Sequence, residues 1–259
     1  MSAFAGGDVK VHFDNGISTV MKDRYDIFLE HTHTVKAESN KRKQNFIKQQ
    51  FGPCVLLSDV KDVLEKHCDV LDCDGAAVVL PHFAGLSAGI PCVNRTPLSS
   101  SAHEHVDCCQ TGKGATGEGS VCVLRICRTH DIKEVMVECV KGLQQKKDAA
   151  SLSDAEFQQE QLEEIVGWAI HYEHDSLDFA GAWQRIRSWW IAIHGLVGTK
   201  EEIDHYFLST LRKFQRRVDV ESLIDNVITR DMKQLQHEAD KVGVPTWMWA
   251  LLKILHSGN

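Results

Sequence analysis

The sequence predicts an α+β N-terminal region, a small sheet with packed helices, over residues 1–148, followed by an all-α bundle of about five helices over residues 149–259. Three observations lead there. All nine cysteines lie between Cys54 and Cys139 and all six tryptophans between Trp168 and Trp249, so the composition changes near residue 150. At that change, residues 144–153, QQKKDAASLS, are polar and rich in small side chains, as a linker would be. Beyond it, helix-start signals recur: Ser153 with Glu156, and Thr199 with Glu202, each fit the capping box S/T-x-x-E.

In the first region, Val9 to Phe13 alternates apolar with polar residues and leads into Asn15-Gly16, a short-hairpin signal with a return strand over 17–21. Residues 22–50 are highly charged and read as helical, with a break around Ser39-Asn40. Lys41, Arg42, Lys43 and Lys48 form a solvated face. From Ser58, a good N-cap, Val60, Val63, Leu64 and Leu71 recur at helical spacing with His67 on the same stripe. Asp72-Cys73-Asp74-Gly75 then makes a turn and residues 76–80 a buried strand. A serine- and glycine-rich loop occupies 81–119, a further strand 120–128, and Asp131 caps a helix striped by Val135, Met136, Cys139, Val140 and Leu143. The helix from Ser58 followed by DCDGAAVVL resembles the opening of GAF-type ligand-sensing domains, which implies a helix packed on a central antiparallel sheet.

The second region reads as successive helices. Phe179, Trp183, Ile186, Trp190 and Ile193 form one stripe, and Ile203, Phe207, Leu211 and Phe214 the next. Val220, Leu223, Val227 and Met232 continue the pattern, and Pro245-Thr246 opens a short final helix through Trp249. Short connections imply an antiparallel bundle.

A hydrophobic content of 43% over 259 residues is ample for a core. A formal charge of -7 disfavours nucleic acid as a partner. The first ten residues lack a basic segment followed by an apolar one, and no apolar run approaches the roughly 20 residues of a membrane span. The expectation is an intracellular, cytoplasmic protein without a membrane partner. Nine cysteines, an odd number, then read as reduced thiols.

The densest group of chemically capable side chains is His103-Glu-His105-Val-Asp-Cys108-Cys109, with Cys92 upstream. Imidazole and thiolate suit zinc, and His105 with Cys108 is the best-spaced pair, His103 and Cys92 the further candidates. Gly85-Leu-Ser87-Ala-Gly89 matches the G-x-S-x-G nucleophile pattern, but no helix is expected after it, so Ser87 reads as part of a ligand or flap loop. Gly112, Lys113 and Gly114 belong to a glycine-rich run that could cradle an anion or form a flap. An expected strand after them argues against a phosphate loop. His171-x-x-His174 would place two imidazoles on one helix face.

Trp189 and Trp190 are adjacent, and so cannot share one helix face. Trp189, and Trp247 by the same reasoning, are therefore candidate interface residues for a protein partner or for self-association. With no catalytic constellation in a suitable context, the sequence points to a non-catalytic binding or assembly protein, its helical part contacting protein and its α/β part binding a small ligand or metal. The alternative is a zinc-dependent hydrolase or hydratase with its site in the 81–119 loop.

Overall fold

Two stretches with helix-like apolar spacing are strands. Residues Glu134–Val140 alternate, with Val135, Val137 and Cys139 buried on one side, and Ile186–Ile193 alternate likewise, with Ser188, Trp190 and Ala192 buried. The two pair antiparallel in a register that sets Val137 against Trp190 and Glu138 against Trp189. Apolar residues on both faces of a strand produce a nearly continuous run, which periodicity alone cannot separate from a buried helix.

The computed structural model describes residues 1–3, 22, 26, 35–50, 54–64, 70–93, 95, 106–175, 178 and 186–215. The expected hairpin at Asn15-Gly16, His103, His105, the helices beyond residue 215 and Trp247 lie outside them. The chain divides into two compact units, Met1–His174 with Ile186–Leu208, and Asp175–Arg185 with Ser209–Asn259. Every site discussed below belongs to the first.

The described elements run β1 (Ser2–Ala3), β2 (Val35–Ala37), α1 (Lys41–Gln50), β3 (Val55–Leu57), a 3-10 turn (Val60–Leu64), β4 (Val70–Leu71), β5 (Ala77–Val78), β6 (Gly85–Gly89), α2 (Cys108–Thr111), α3 (Gly114–His130), β7 (Glu134–Val140), a second 3-10 turn (Lys141–Gln144), α4 (Asp154–Val166), β8 (Trp168–Asp175), β9 (Ile186–Ile193) and α5 (Lys200–Phe214). Seven strands form one sheet in the order β3-β2-β1-β6-β7-β9-β8, while β4 and β5 make a separate antiparallel pair. β1, β2, β3, β6 and β7 are mutually parallel, and β9 runs antiparallel to β7.

This sheet corrects the predicted fold class. Strands from both sides of residue 148 pair in one open, mostly parallel sheet, so neither a small N-terminal sheet nor a following helical bundle describes the chain. The expected central antiparallel sheet of a GAF-type domain is likewise absent among the described residues. Residues 120–128, expected as a strand, lie inside α3, and the helix expected after Asp131 is β7. Asp131 instead ends α3 in a left-handed conformation, its N–H bonded to the Cys127 carbonyl.

Local chemistry explains the helices. Ser153 and Glu156 form the capping box at the start of α4, each accepting the other's backbone N–H. Thr199 and Glu202 repeat it before α5. Asn40 accepts the N–H groups of Arg42 and Lys43 and so caps α1. Gly117, which reads as loop sequence, has a tertiary reason to lie in a helix: a Cβ there would overlap the Cys108 carbonyl of α2. Helices α3 and α4 cover one face of the sheet, where Val123, Ile126, Cys127, Leu162 and Trp190 are fully or almost fully buried. The Trp190 indole N–H donates to the Ala155 carbonyl of α4 at 3.0 Å, so the indole anchors β9 to that helix.

Candidate functional site

In an open parallel sheet the chain winds outward from β1 through β2 to β3, then returns to β6 on the other side of β1. That reversal leaves a crevice at the carboxyl ends of the strands, the usual place for a ligand in such folds. A cavity of about 260 Å³ opens there. Its wall comes from the ends of β2 (Ala37, Glu38, Ser39), β3 (Ser58, Asp59) and β6 (Pro91), and from the first turns of α3 (Ala115, Glu118, Gly119, Cys122).

Glu38 is the buried carboxylate of this cavity, 7% exposed. Its backbone is fixed from both sides: its N–H extends the β2–β3 ladder to the Leu57 carbonyl at 3.0 Å, and its own carbonyl accepts from the Gln44 amide at 2.5 Å. One carboxylate oxygen accepts the Asn40 N–H at 2.9 Å, and Lys43 stands 3.8 Å from the other. An acidic residue at the end of the second strand is the group that receives ribose hydroxyls in nucleotide-binding sheets of this kind. Asp59, at the end of the next strand, holds the Lys61 N–H with one oxygen at 2.8 Å. Lys61 and Glu118, 3.6 Å apart, pair at the exposed rim.

The β6 loop links the cavity to a second group of side chains. Gly89 is the register partner of Glu138, the Ile90 N–H donates to the Glu138 carbonyl at 2.9 Å, and Pro91 lines the cavity. Cys92 follows at once, half-buried. On β7, Glu138 faces the antiparallel β9, and its carboxylate pairs with the Arg187 guanidinium at 2.7 Å, both about a quarter exposed. Trp189, directly opposite Glu138, shares this sheet face and stacks on His174 of β8, ring centres 5.5 Å apart. A carboxylate, a guanidinium and an aromatic ring thus share one face at the β7–β9 pairing, while the Cys92 thiol follows the end of β6 and lies near Cys139 of β7.

The sequence-predicted site residues fall differently. Cys92 follows β6, half-buried, and is not part of the group in which Cys108 is buried on α2 beside Cys109 and Asp154. Ser87 sits in the middle of β6, its N–H bonded to the Met1 carbonyl, and not on an exposed elbow. Gly112, Lys113 and Gly114 join α2 to α3, with both glycines in the left-handed region. A helix does follow them, contrary to the expected strand. Within the expected 81–119 loop, residues 85–89, 108–111 and 114–119 are regular structure, β6, α2 and the start of α3, while residues 94 and 96–105 lie outside the described residues. His171 and His174 lie on opposite faces of β8, stacked on Trp190 and Trp189 respectively. Trp189 is half-buried on a strand rather than on a helix flank. Sequence reasoning missed Glu38, Glu138 and Arg187. Glu38 stood in a stretch read as helix, and the other two gain meaning only once β7 and β9 pair.

No family model matches the chain, and no curated relative matches it by sequence. Among solved structures it is similar to the Dnmt2 methyltransferase of S. pombe (10% identity, TM-score 0.47, covering 76% of this chain and 50% of that one). DNMT2 of Spodoptera frugiperda matches at 14% identity and TM-score 0.46, covering 75% and 49%. A prophage-encoded E. coli protein assigned as a DNA modification methyltransferase matches at 13% and 0.43, covering 77% and 48%. The chain spans about half the length of each. These solved structures are named as methyltransferases, not as the non-catalytic binding or assembly protein that the sequence suggested. The reading that disfavours nucleic acid rests on a total charge of -7, which averages over the whole chain and does not describe the surface around one site. Among the described residues no helix is long and apolar enough to cross a membrane.

Proposed function

We propose that the chain is a methyltransferase that uses S-adenosylmethionine and acts on a pyrimidine base in nucleic acid. One observation carries the reading: Pro91, after the end of β6, lines the Glu38 cavity and is followed at once by the half-buried Cys92 thiol, while the next strand of the sheet, β7, carries the Glu138–Arg187 pair. Glu38 fits a ribose diol by charge and position, and Asp59, one strand outward, fits the amino group of an adenine. When bound, S-adenosylmethionine supplies an electrophilic methyl group.

Nitrogen and oxygen acceptors need no thiol to take a methyl group, whereas an unactivated ring carbon does. Cys92 gives a reason to favour carbon. Its thiolate adds to C6 of a pyrimidine, the C5–C6 π pair moves to C5, and C5 becomes the nucleophilic carbon. Once C5 carries the methyl group, its proton passes to solvent water, the C–H electron pair restores the C5–C6 double bond, and the Cys92 sulfur leaves as a thiolate. Arg187 can donate to a ring carbonyl oxygen while Glu138 accepts from an exocyclic amine or ring N–H, so the pair orients the base and balances charge that develops on it. A target inside a duplex would have to leave the stack to reach this depth. A cytoplasmic or other intracellular location accords with the reading.

The test is transfer of labelled methyl from S-adenosylmethionine to DNA and to RNA, in parallel. Label in either polymer, lost with Cys92→Ala while S-adenosylmethionine binding persists, supports the reading. No label in any polymer, or undiminished transfer by Cys92→Ala, overturns it.

A further inference from the structure

Away from the proposed active site, the first turn of α2 and the first residue of α4 bring three ligand-type side chains into the core. Cys108, Cys109 and Asp154 are each no more than 1% exposed, and their ligand atoms lie within 4.8 Å of one another. The two carboxylate oxygens of Asp154 have separate tasks. Oδ1 accepts the Cys109 N–H at 3.1 Å and so caps α2, whose own N-cap residue, Asp107, makes no capping bond. Oδ2 faces the Cys108 thiol, which donates to it at 3.2 Å. The Cys108 and Cys109 thiols are themselves in contact, and both that contact and burial push the Cys108 thiol upward. Burial raises Asp154 as well.

Two sulfurs and one carboxylate oxygen therefore form a compact triangle in which Cys108 Sγ is hydrogen-bonded to both of the others. We propose that this triangle is a zinc site, with Cys108 Sγ, Cys109 Sγ and Asp154 Oδ2 as ligands. Mixed thiolate and carboxylate donors suit zinc, and Asp154 keeps its capping bond through Oδ1 when Oδ2 takes the metal. Binding replaces the two thiol protons: Zn²⁺ with two thiols and one carboxylate gives a complex of net charge -1 and two released protons. Among the described residues no fourth His, Cys, Asp or Glu side chain joins the group, which leaves one coordination position for another donor. The site would tie α2 to the start of α4. Because Gly117 of α3 lies against the Cys108 carbonyl, it would also steady the turns of α3 that line the Glu38 cavity.

Zinc content of the purified full chain, with zinc alone as the added ligand and a chromophoric chelator as competitor, tests the site. The expected result is about one zinc per chain, release of about two protons on loading, and sulfur-to-metal charge-transfer absorption after cobalt substitution. Cys109→Ala removes a ligand while leaving an apolar side chain that the core tolerates, and Asp154→Asn retains an oxygen able to cap α2. Each should weaken zinc at least 100-fold while far-ultraviolet circular dichroism stays that of the wild type. Absence of zinc from the wild type under saturating zinc, or wild-type affinity in both variants, would overturn the assignment and leave the triangle a hydrogen-bonded cap.

Discussion

Glu38 offers a sharp quantitative test, because its structural and binding roles can be separated by choice of substitution. Its carboxylate accepts the Asn40 N–H at 2.9 Å and has Lys43, more than half exposed, at 3.8 Å among its partners. Glu38→Gln keeps an oxygen that can accept the Asn40 N–H, so the fold should lose little. The exposed partner makes the ion pair worth at most about 1 kcal/mol, a fall in melting temperature of about 2–4 °C for a chain of this size. Binding should suffer more. A hydrogen bond to a charged acceptor contributes about 1.5–3 kcal/mol, and at 1.4 kcal/mol per decade, replacing the carboxylate by an amide at a ribose diol predicts roughly 10- to 100-fold weaker S-adenosylmethionine binding. Glu38→Ala should reach the upper end and also loosen the 38–40 turn. Calorimetric titration alongside thermal melting gives both numbers. Equal affinity in wild type and both variants, with intact folds, would show that Glu38 does not face the cofactor and that the cavity has another occupant.

Four further outcomes are expected. Glu138→Gln should fold, since the amide is isosteric, but should lower methyl transfer about 10²- to 10³-fold; transfer near the wild-type rate would remove the Glu138–Arg187 pair from the mechanism. Trp190→Phe should destabilise the fold by about 1–3 kcal/mol, because the buried Ala155 carbonyl loses its donor, and an unchanged denaturant midpoint would place Trp190 outside the core. Gly117→Ala should cost about 1–3 kcal/mol through overlap with the Cys108 carbonyl and should weaken cofactor binding through α3; a neutral effect would contradict the α2–α3 packing. Burial pushes the Cys127 thiol from 9.0 up to about 12 and also raises Cys139, so the folded state keeps protons that the unfolded chain gives up. Each thiol therefore stabilises fully below about pH 9 and loses up to about 1.4 kcal/mol per unit above it. Chemical denaturation between pH 8 and 10.5 measures the slope, and Cys127→Ala should reduce it.

Local signals in the sequence were reliable where chemistry is local. Both capping boxes, Ser153 with Glu156 and Thr199 with Glu202, mark true helix starts, because the cap is complete within four residues. The longer stripes misled. Val135, Met136, Cys139 and Val140 satisfy helical spacing, yet β7 is a strand buried on one face and half-covered on the other, and the same apolar run serves both geometries. Glycines 114, 117 and 119 read as a loop because isolated helices disfavour glycine, whereas here the close approach of α2 favours it at Gly117. Ser58, expected to cap an α-helix, precedes only a 3-10 turn after β3.

The candidate site was less legible than the helix starts. Cys92 drew notice for its thiol, but as a zinc ligand. Glu138 and Arg187 lie 49 residues apart in the chain and meet only through the β7–β9 register, a long-range pairing that no local pattern encodes. Glu38 acquires its role from the strand order, since an acidic residue matters at that position only where β2 ends beside a switch point.

The most direct measurement is mass spectrometry of the full chain after incubation with S-adenosylmethionine and a nucleic acid carrying 5-fluoropyrimidine, in which fluorine replaces the proton that must leave C5. The expected result is a denaturation-stable protein–nucleic acid adduct mapped to the peptide containing Cys92, dependent on S-adenosylmethionine and absent from Cys92→Ala. A cofactor-dependent methyl product formed without any adduct, or an adduct mapped to another cysteine, would contradict the assignment of Cys92 as the nucleophile.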